Sequence, residues 1–408
     1  MKLVFFLNTF SKMEDYNFNK IKLPDSILCI AITSFNELPL FQKNYDHFFQ
    51  EIIATNFNNI DQIKQIIKEN LIKYNVNNND IRIICLSEDN LLLVSKLREY
   101  FNIIGMKYNQ AELFRDKVKM KNSFKNININ LPTFIEIGWL DNSQPLQSYE
   151  KLKHLLGNKF VLKPKLDFGA HGVKIINNYN DFLLSVDEIK NFQDYEAETF
   201  INGDLYHVDS IHINGSAIFQ VCCRYSFPTF EFQLGKPNLS IPIPENSNIA
   251  INASILIEQV LRALNYANGP SHLEFFVNEN EELIFLEIAA RTPGGFTTIM
   301  YDKMYDFNML NADLYINLDL DVSKPKYSGK YVFRGIFPIK QGLVTKINIP
   351  NTLGVTNIHW EIEPGYNLDL CTSLRDVAAK IVVENNDYSS AFKDFEYLSE
   401  FNLFEVVK

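Results

Sequence analysis

Cysteine, long apolar runs and positive charge are all scarce in this 408-residue chain, and each scarcity excludes something. The five cysteines (Cys29, Cys85, Cys222, Cys223 and Cys371) are irregularly spaced. They form neither a zinc-ligand pattern nor a disulfide framework. The adjacent Cys222 and Cys223 sit inside an apolar run and read as strand packing. No stretch reaches the roughly 18 consecutive apolar residues of a membrane span. The opening run, Leu3 to Leu7, is too short for a signal peptide and has no small-residue cleavage site, so it reads as a buried strand. Lys and Arg number 39 against 49 Asp and Glu, a net charge of −10. That excludes the broad basic surface of nonspecific nucleic-acid binding but allows a local basic pocket. The expected location is the cytoplasm, with no membrane or nucleic-acid partner.

What is present suits two or three domains with cores of their own: 46% of residues are hydrophobic and 22% charged. Residues 1–110 alternate between short apolar runs (Leu3 to Leu7, Ile27 to Ile32, Ile81 to Leu86) and stretches of helical spacing (Lys43 to Ala54, Ile60 to Tyr74, Asn90 to Tyr100). This alternation predicts an open α/β sheet, with Ser87-Glu88-Asp89 as a helix cap. No Gly-rich fingerprint follows the first strand, which argues against a dinucleotide site there. Ala111 to Ser123 reads as one helix bearing Arg115-Asp116-Lys117. Lys159 to Lys165 reads as a strand, and Val173 to Ile176 as its return. Tyr195 to Asp204 reads as a strand closing on a turn, and Tyr206 to Ile213 with Ser216 to Arg224 make a hairpin over Asn214-Gly215. Prolines 228, 237, 242 and 244 mark a long connection, and Ile249 to Leu264 an amphipathic helix. Residues 111–325 form a second domain. From 326 to 408 the pattern is that of a small α+β lobe with no chemistry of its own.

The chemistry gathers between Ser271 and Gly295. Two short strands, joined by an acidic turn, each carry one carboxylate inside an apolar run: Glu274 between Leu273 and Phe275, and Glu287 between Leu286 and Ile288. An unpaired buried carboxylate is costly and calls for a cation or strong donor. Two on adjacent strands can face one point and hold a hard cation. Arg291, four residues after Glu287, precedes Pro293-Gly294-Gly295 and suits an anionic oxygen. The set fits magnesium-dependent phosphate chemistry; the competing reading is a solvated hairpin edge with Arg291 neutralising Glu287. Upstream, Lys163 closes an apolar strand, an awkward place for an ammonium unless an anion meets it. The loop after it, Gly169-Ala170-His171-Gly172, can turn tightly and bring backbone N–H groups to phosphate oxygens. It lacks the Gly-Lys-Ser/Thr ending of a Walker loop, and ordinary turn chemistry is the alternative.

Taken in order, Arg115-Asp116-Lys117, the Lys163–Gly172 stretch, His272-Leu273-Glu274-Phe275, and Leu286-Glu287-Ile288-Ala289-Ala290-Arg291 with Gly294-Gly295 resemble the ATP-grasp superfamily. Within it the chain is most similar to carboxylate–amine ligases of the L-amino acid ligase (dipeptide synthetase) kind. The resemblance covers residues 87–306 and, more loosely, the terminal lobe. It implies an N-terminal α/β domain, a central ATP-grasp fold of two α+β lobes gripping ATP, and a small C-terminal α+β lobe. It further implies that Lys117 and Lys163 contact ATP phosphates and that Gly169 to Gly172, with Ala170 and His171, close over them. Glu198, Phe200 and Ile201 would hold adenine, and Asp204 would reach the ribose, although the usual glutamate one residue on is Leu205. Glu274 and Glu287 would bind two magnesium ions and Arg291 would meet the transferred phosphate. Many members have Asn where this chain has Ala289, which removes one oxygen ligand.

The implied reaction joins a carboxylate and an amine, both expected to be amino acids, through an acyl-phosphate, releasing ADP and phosphate. Competing expectations are a carboxylase using bicarbonate and a nonenzymatic ATP-binding protein. Substrate-side candidates are Arg224, Glu231, His171, Gly294, Gly295 and Arg334, with surface ion pairing as the alternative for both arginines. The sequence leaves the assembly open, with a homodimer compatible.

Overall fold

The computed structural model describes residues 1–9, 13–85, 87–141 and 143–407. Four parallel strands open it: β1 (Lys2–Asn8), β2 (Ile27–Thr33), β3 (Glu51–Ala54) and β4 (Ile81–Cys85), ordered β3-β2-β1-β4. Leu86, the expected end of the last run, lies outside the described residues, as does the terminal Lys408. Alternate β1 side chains enter two cores. Val4 and Phe6 pack with Cys29 and Phe41 on one face, and Leu3, Phe5 and Leu7 with Ile63 and Ile67 on the other. That two-sided burial is why the strands read as unbroken apolar runs.

The helices are α1 (Leu38–Tyr45), α2 (Ile60–Tyr74) and α3 (Leu91–Tyr100). The predicted helix over 43–54 is corrected. Helix α1 starts earlier, with a proline in its first turn, and ends at Tyr45, after which Glu51–Ala54 joins the sheet edge. Helix α2 matches its prediction because both ends carry local stops: Asn59 accepts from the Gln62 N–H at 3.2 Å, and Asn75 takes φ +50°. Ser87 makes no side-chain cap bond.

Ala111 to Ser123 is two helices, α4 (Tyr108–Leu113) and α5 (Lys117–Asn122). The break is local. The Asp116 carboxylate accepts from the N–H groups of Val118 and Lys119, both at 3.0 Å, and starts a new helix. Arg115 and Lys117 are thereby buried rather than laid along a solvated face.

A small antiparallel sheet follows. Its strands are β5 (Phe134–Glu136), β6 (Phe160–Pro164), β7 (Lys174–Ile176) and β8 (Tyr195–Thr199), ordered β5-β8-β6-β7, with α6 (Pro145–Leu156) and α7 (Tyr179–Glu188) packed against it. The chain continues through β9 (Asp204–Ile213), β10 (Ser216–Tyr225), β11 (Asn238–Pro242), α8 (Asn248–Ala263), β12 (Gly269–Val277), β13 (Leu283–Ala289), α9 (Thr297–Tyr305) and α10 (Met309–Asn317). The last stretch holds β14 (Tyr331–Pro338), β15 (Gly342–Ile347), β16 (Val355–Trp360), β17 (Asn367–Leu368), β18 (Val377–Asn385), α11 (Tyr388–Glu400) and β19 (Phe404–Val407).

One antiparallel sheet runs β13-β12-β9-β10-β11-β14-β18-β16, and a three-stranded sheet runs β17-β15-β19. The proline-rich connection therefore contains a strand. β11 pairs with β10 on one side and β14 on the other, bringing Asn238 opposite Ile336 and Ser240 opposite Arg334. The large sheet runs without a break from residues before 325 into residues after 326.

Candidate functional site

The register of β12 and β13 sets Glu274 directly opposite Glu287, with a bulge between Glu274 and Phe275 that turns the strand. Tyr225 donates its hydroxyl to Glu274 at 2.9 Å, and His272 Nε2 lies 3.4 Å from the same carboxylate. Burial alone would raise the Glu274 pKa, but these donors hold it below the ordinary value. Glu287 is 28% exposed and has Lys117 Nζ at 3.2 Å. Oxygen donors of this kind suit magnesium, and the adjoining cations suit a polyphosphate, so the residues fit the metal–nucleotide pair. The hairpin reading of two facing carboxylates thus corresponds to the structure.

Beneath this pair lies a closed cluster of charge. Lys121 Nζ donates to both oxygens of Glu196 at 2.8 Å and to Glu198 at 2.9 Å, and Lys163 Nζ donates to Glu198 at 2.5 Å. Lys121 and Glu196 are fully buried in their side chains. Burial would raise the carboxyl of Glu198, yet Lys121 and Lys163 bring it down to about 2. Burial likewise opposes the Lys163 charge, and Glu198, Glu196 and Glu287 more than restore it. The ammonium that ends β6 is therefore held charged at the cleft.

A second cluster joins the first domain to the hairpin. Glu88 accepts from Arg115 Nη1 at 2.5 Å and from Arg291 Nε at 2.6 Å. Burial would raise the Glu88 pKa, but Arg291 and Arg115 hold it at about 2. Glu88 follows β4, outside the carboxyl ends of a parallel sheet, where ligand crevices form. Sequence reasoning used this residue only as part of a helix cap. An acidic residue just after a buried parallel strand was the available signal.

The loop after β6 is tied down from below. Lys117 Nζ donates to the Asp167 carbonyl and Arg115 Nη2 to the Leu166 carbonyl. Gly169, Ala170 and Gly172 have φ of +64°, +59° and +69°, and a Cβ at Gly172 would fall 2.8 Å from Pro164 Cγ. Glycine is needed at that position on both counts. His171 Nδ1 sits 2.6 Å from Asp167 Oδ2. Between this loop and the sheet is an apolar slot lined by Val161, Ile175, Phe200, Leu205, Phe276 and Leu286, with Ile201 at its edge.

Comparisons with known proteins bear on this arrangement. Residues 156–299 match the family model described as ATP-grasp domain. Over these residues the chain has the ATP-grasp fold. It is 26% identical over 304 residues to the L-arginine-specific L-amino acid ligase of Bacillus subtilis, a match spanning 73% of this chain and 70% of that protein. It is 22% identical over 305 residues to a D-alanine–D-alanine ligase of Prochlorococcus marinus, spanning 71% and 83%. Among solved structures, the L-amino acid ligase of Bacillus licheniformis superposes with a TM-score of 0.72 at 14% identity, covering 100% of this chain and 98% of that one. The N5-carboxyaminoimidazole synthetase of Staphylococcus aureus complexed with ADP gives 0.69 at 14% identity, covering 98% and 97%. The two superpositions show a shared fold.

Beyond the facing glutamates, the ATP-grasp domain opens into a cavity of about 870 Å³. Its walls include Glu88, Arg291, His272, Tyr225 and Arg334. His272 Nδ1 lies 2.6 Å from Asp209, whose other oxygen accepts from Tyr301 at 2.5 Å. Burial would lower the His272 pKa, but Asp209 raises it to about 9. Arg334 is buried, donating to Thr297 Oγ1 at 3.1 Å and to the Asn238 side chain at 2.5 Å. Gly295, at φ +62°, leaves room beside it; a Cβ there would lie 3.4 Å from the guanidinium carbon. Gly294 also lines the cavity.

Four expectations differ from this geometry. Arg224 pairs with Asp204 at 2.9 Å across the β9–β10 hairpin, and both are partly exposed. Neither lines the slot or the cavity, because their strand ends open to solvent. Glu231 lies on the turn over 229–234 and also lines neither. The lobe after residue 326 was expected to be chemically silent, but it supplies Arg334, Ser373, Arg375 and Lys380 to the cavity wall. Its β14 and β18 complete the sheet that floors the site.

Proposed function

We propose that this chain is an ATP-dependent carboxylate–amine ligase that joins amino acids through an acyl-phosphate and releases ADP and phosphate. One observation carries the reading. Glu274 and Glu287 face each other where an apolar slot meets a large polar cavity, with Lys117, Lys163 and Arg291 around them. Relatives named as amino-acid ligases in two groups support the substrate class.

In this reading the apolar slot takes the adenine ring, and the glycine loop with Lys117 and Lys163 holds the phosphates. Glu274 and Glu287 would hold two magnesium ions, with no ligand from Ala289, and magnesium bound there would supply charge neutralisation for phosphoryl transfer. Arg291, clamped by Glu88, stabilises the acyl-phosphate oxygens at a fixed position. Arg334 binds a substrate carboxylate on the far side of the Gly294-Gly295 turn. The loop over 166–172 excludes water while the acyl-phosphate waits for its amine. No described helix is long and apolar enough to cross a membrane; a cytoplasmic location, where ATP is made available, belongs to the same proposal.

Hydroxylamine tests the acyl-phosphate step. With Mg-ATP, hydroxylamine and single amino acids as the acid, an aminoacyl hydroxamate is expected alongside ADP. ADP release that requires bicarbonate and yields no hydroxamate contradicts the ligase and favours a carboxylase.

A further inference from the structure

A second cavity, of about 570 Å³, lies between the first domain and the ATP-grasp domain, behind the segment that carries Arg291. Arg98 and Asp313 line it from opposite elements, α3 and α10. Arg98 is 6% exposed, and its Nη2 donates to the Ile83 carbonyl at 2.6 Å. Its Nε has no hydrogen-bond partner among the described residues. A buried charged donor without an acceptor is rare and costly, and it calls for a partner.

Two glycines let the backbone pass close to these charged groups. A Cβ at Gly105, φ +123°, would fall 2.8 Å from Arg98 Nε. A Cβ at Gly269, φ +110°, would meet Tyr266 Oη at 2.5 Å and lie 3.8 Å from Asp313 Oδ1. Both line the cavity. Around the other charged groups the accounts close: Arg82 is bonded to Asp319 and to three carbonyls, and Arg291 is held by Glu88. Asp313 accepts from Asn317 at 2.9 Å, yet burial still pushes its carboxyl up to about 6 against the pull of Arg98. A cation beside it would be favoured. The rest of the wall includes Ile104, Met106, Leu310 and Leu320, which suit an aliphatic side chain.

We infer that this cavity binds a free aliphatic α-amino acid as its zwitterion, the carboxylate on Arg98 and the ammonium on Asp313, at a site separate from the catalytic cavity. The inference does not rest on the ligase reading, because binding is read without ATP and without turnover.

Calorimetric titration of L-leucine, L-isoleucine and L-methionine into the full chain tests it, with 4-methylpentanoate and isoamylamine as half-ligands. At least one of the three amino acids is expected to bind, and each half-ligand about tenfold more weakly or worse, since each lacks one charge-assisted contact. Asp313→Asn and Arg98→Met should weaken the amino acid by the same order, whereas Arg334→Met should not. Asp313→Asn removes only charge, so it remains informative where Arg98→Met disturbs packing. Absence of binding by all three overturns the inference. So does an affinity unchanged in both pocket variants, or one lost with Arg334→Met and kept with Asp313→Asn, which assigns the ligand to the catalytic cavity.

Discussion

The site contains two groups of buried charge, and they are built differently. Lys121, Lys163, Glu196 and Glu198 form a closed set in which every side chain is at most 5% exposed and each charge has an opposite one bonded to it. Lys117, Arg291, Glu88, Glu274 and Glu287 form an open set, graded from 9% exposure at Glu274 to 28% at Glu287, along the wall of a large cavity. A closed set holds a geometry. An open set has partners to exchange: Lys117, 3.2 Å from Glu287, would be free to meet a phosphate if a metal ion held that carboxylate. The contrast separates Lys121 and Glu196, which line neither the slot nor the cavity and only position, from the groups that face ligand, with Lys163 and Glu198 carrying the closed set to the slot wall.

Substitutions should split along that line. In the open set, Glu287→Ala should lower ATP turnover by about a hundredfold or more, as expected for loss of transition-state charge stabilisation, while the thermal midpoint stays near wild type. In the closed set, Lys121→Met leaves Glu196 and Glu198 sharing one cation. It should cost about 3–5 kcal/mol of stability, read by denaturant unfolding. Comparable melting points in the two variants would erase the distinction.

Glu88 sharpens it further, because it is buried but touches an arginine that we place on the phosphate. Glu88→Gln should reduce turnover about tenfold, the order of a lost charge-assisted bond. The same residue predicts a pH effect. Its folded pKa of about 2 lies below the ordinary carboxylate value, so its contribution is present above pH ~4.5 and is lost as pH falls toward 2. Wild type should lose on the order of 3 kcal/mol more than Glu88→Gln across that window. Parallel stability curves would show that the clamp is not formed. The smallest effect is expected at Arg224→Ala, whose partly exposed pair with Asp204 is worth about 0.5 kcal/mol or less; a shift in substrate affinity there would return Arg224 to the site.

These contrasts also explain what could be read in advance. The Glu274–Glu287 hairpin was legible because its register follows from one turn within a short stretch. The α2 boundaries were legible for the same reason, with Asn59 and Asn75 as local stops. The closed set was only half visible: Lys163 stood out at a strand end, but Lys121 meets Glu196 across 75 residues and left no local trace. Glu88 and Arg291 are 203 residues apart, and only the packing of the first domain on the hairpin joins them. The 111–123 break was visible in principle, since Asp116 is a capping residue. Its charged neighbours were instead read as a solvated face. Strand β11 was obscured by the prolines around it, because its pairing depends on β14, nearly a hundred residues on.

The central claim is that the open set activates a carboxylate for attack by an amine. The most direct measurement is phosphate release from Mg-ATP with the twenty common amino acids, singly and in pairs, followed by product masses. The account predicts release that depends on a particular pair, with a product equal in mass to the two amino acids less one water. Phosphate release that never depends on an added amine, with no condensed product, would contradict it.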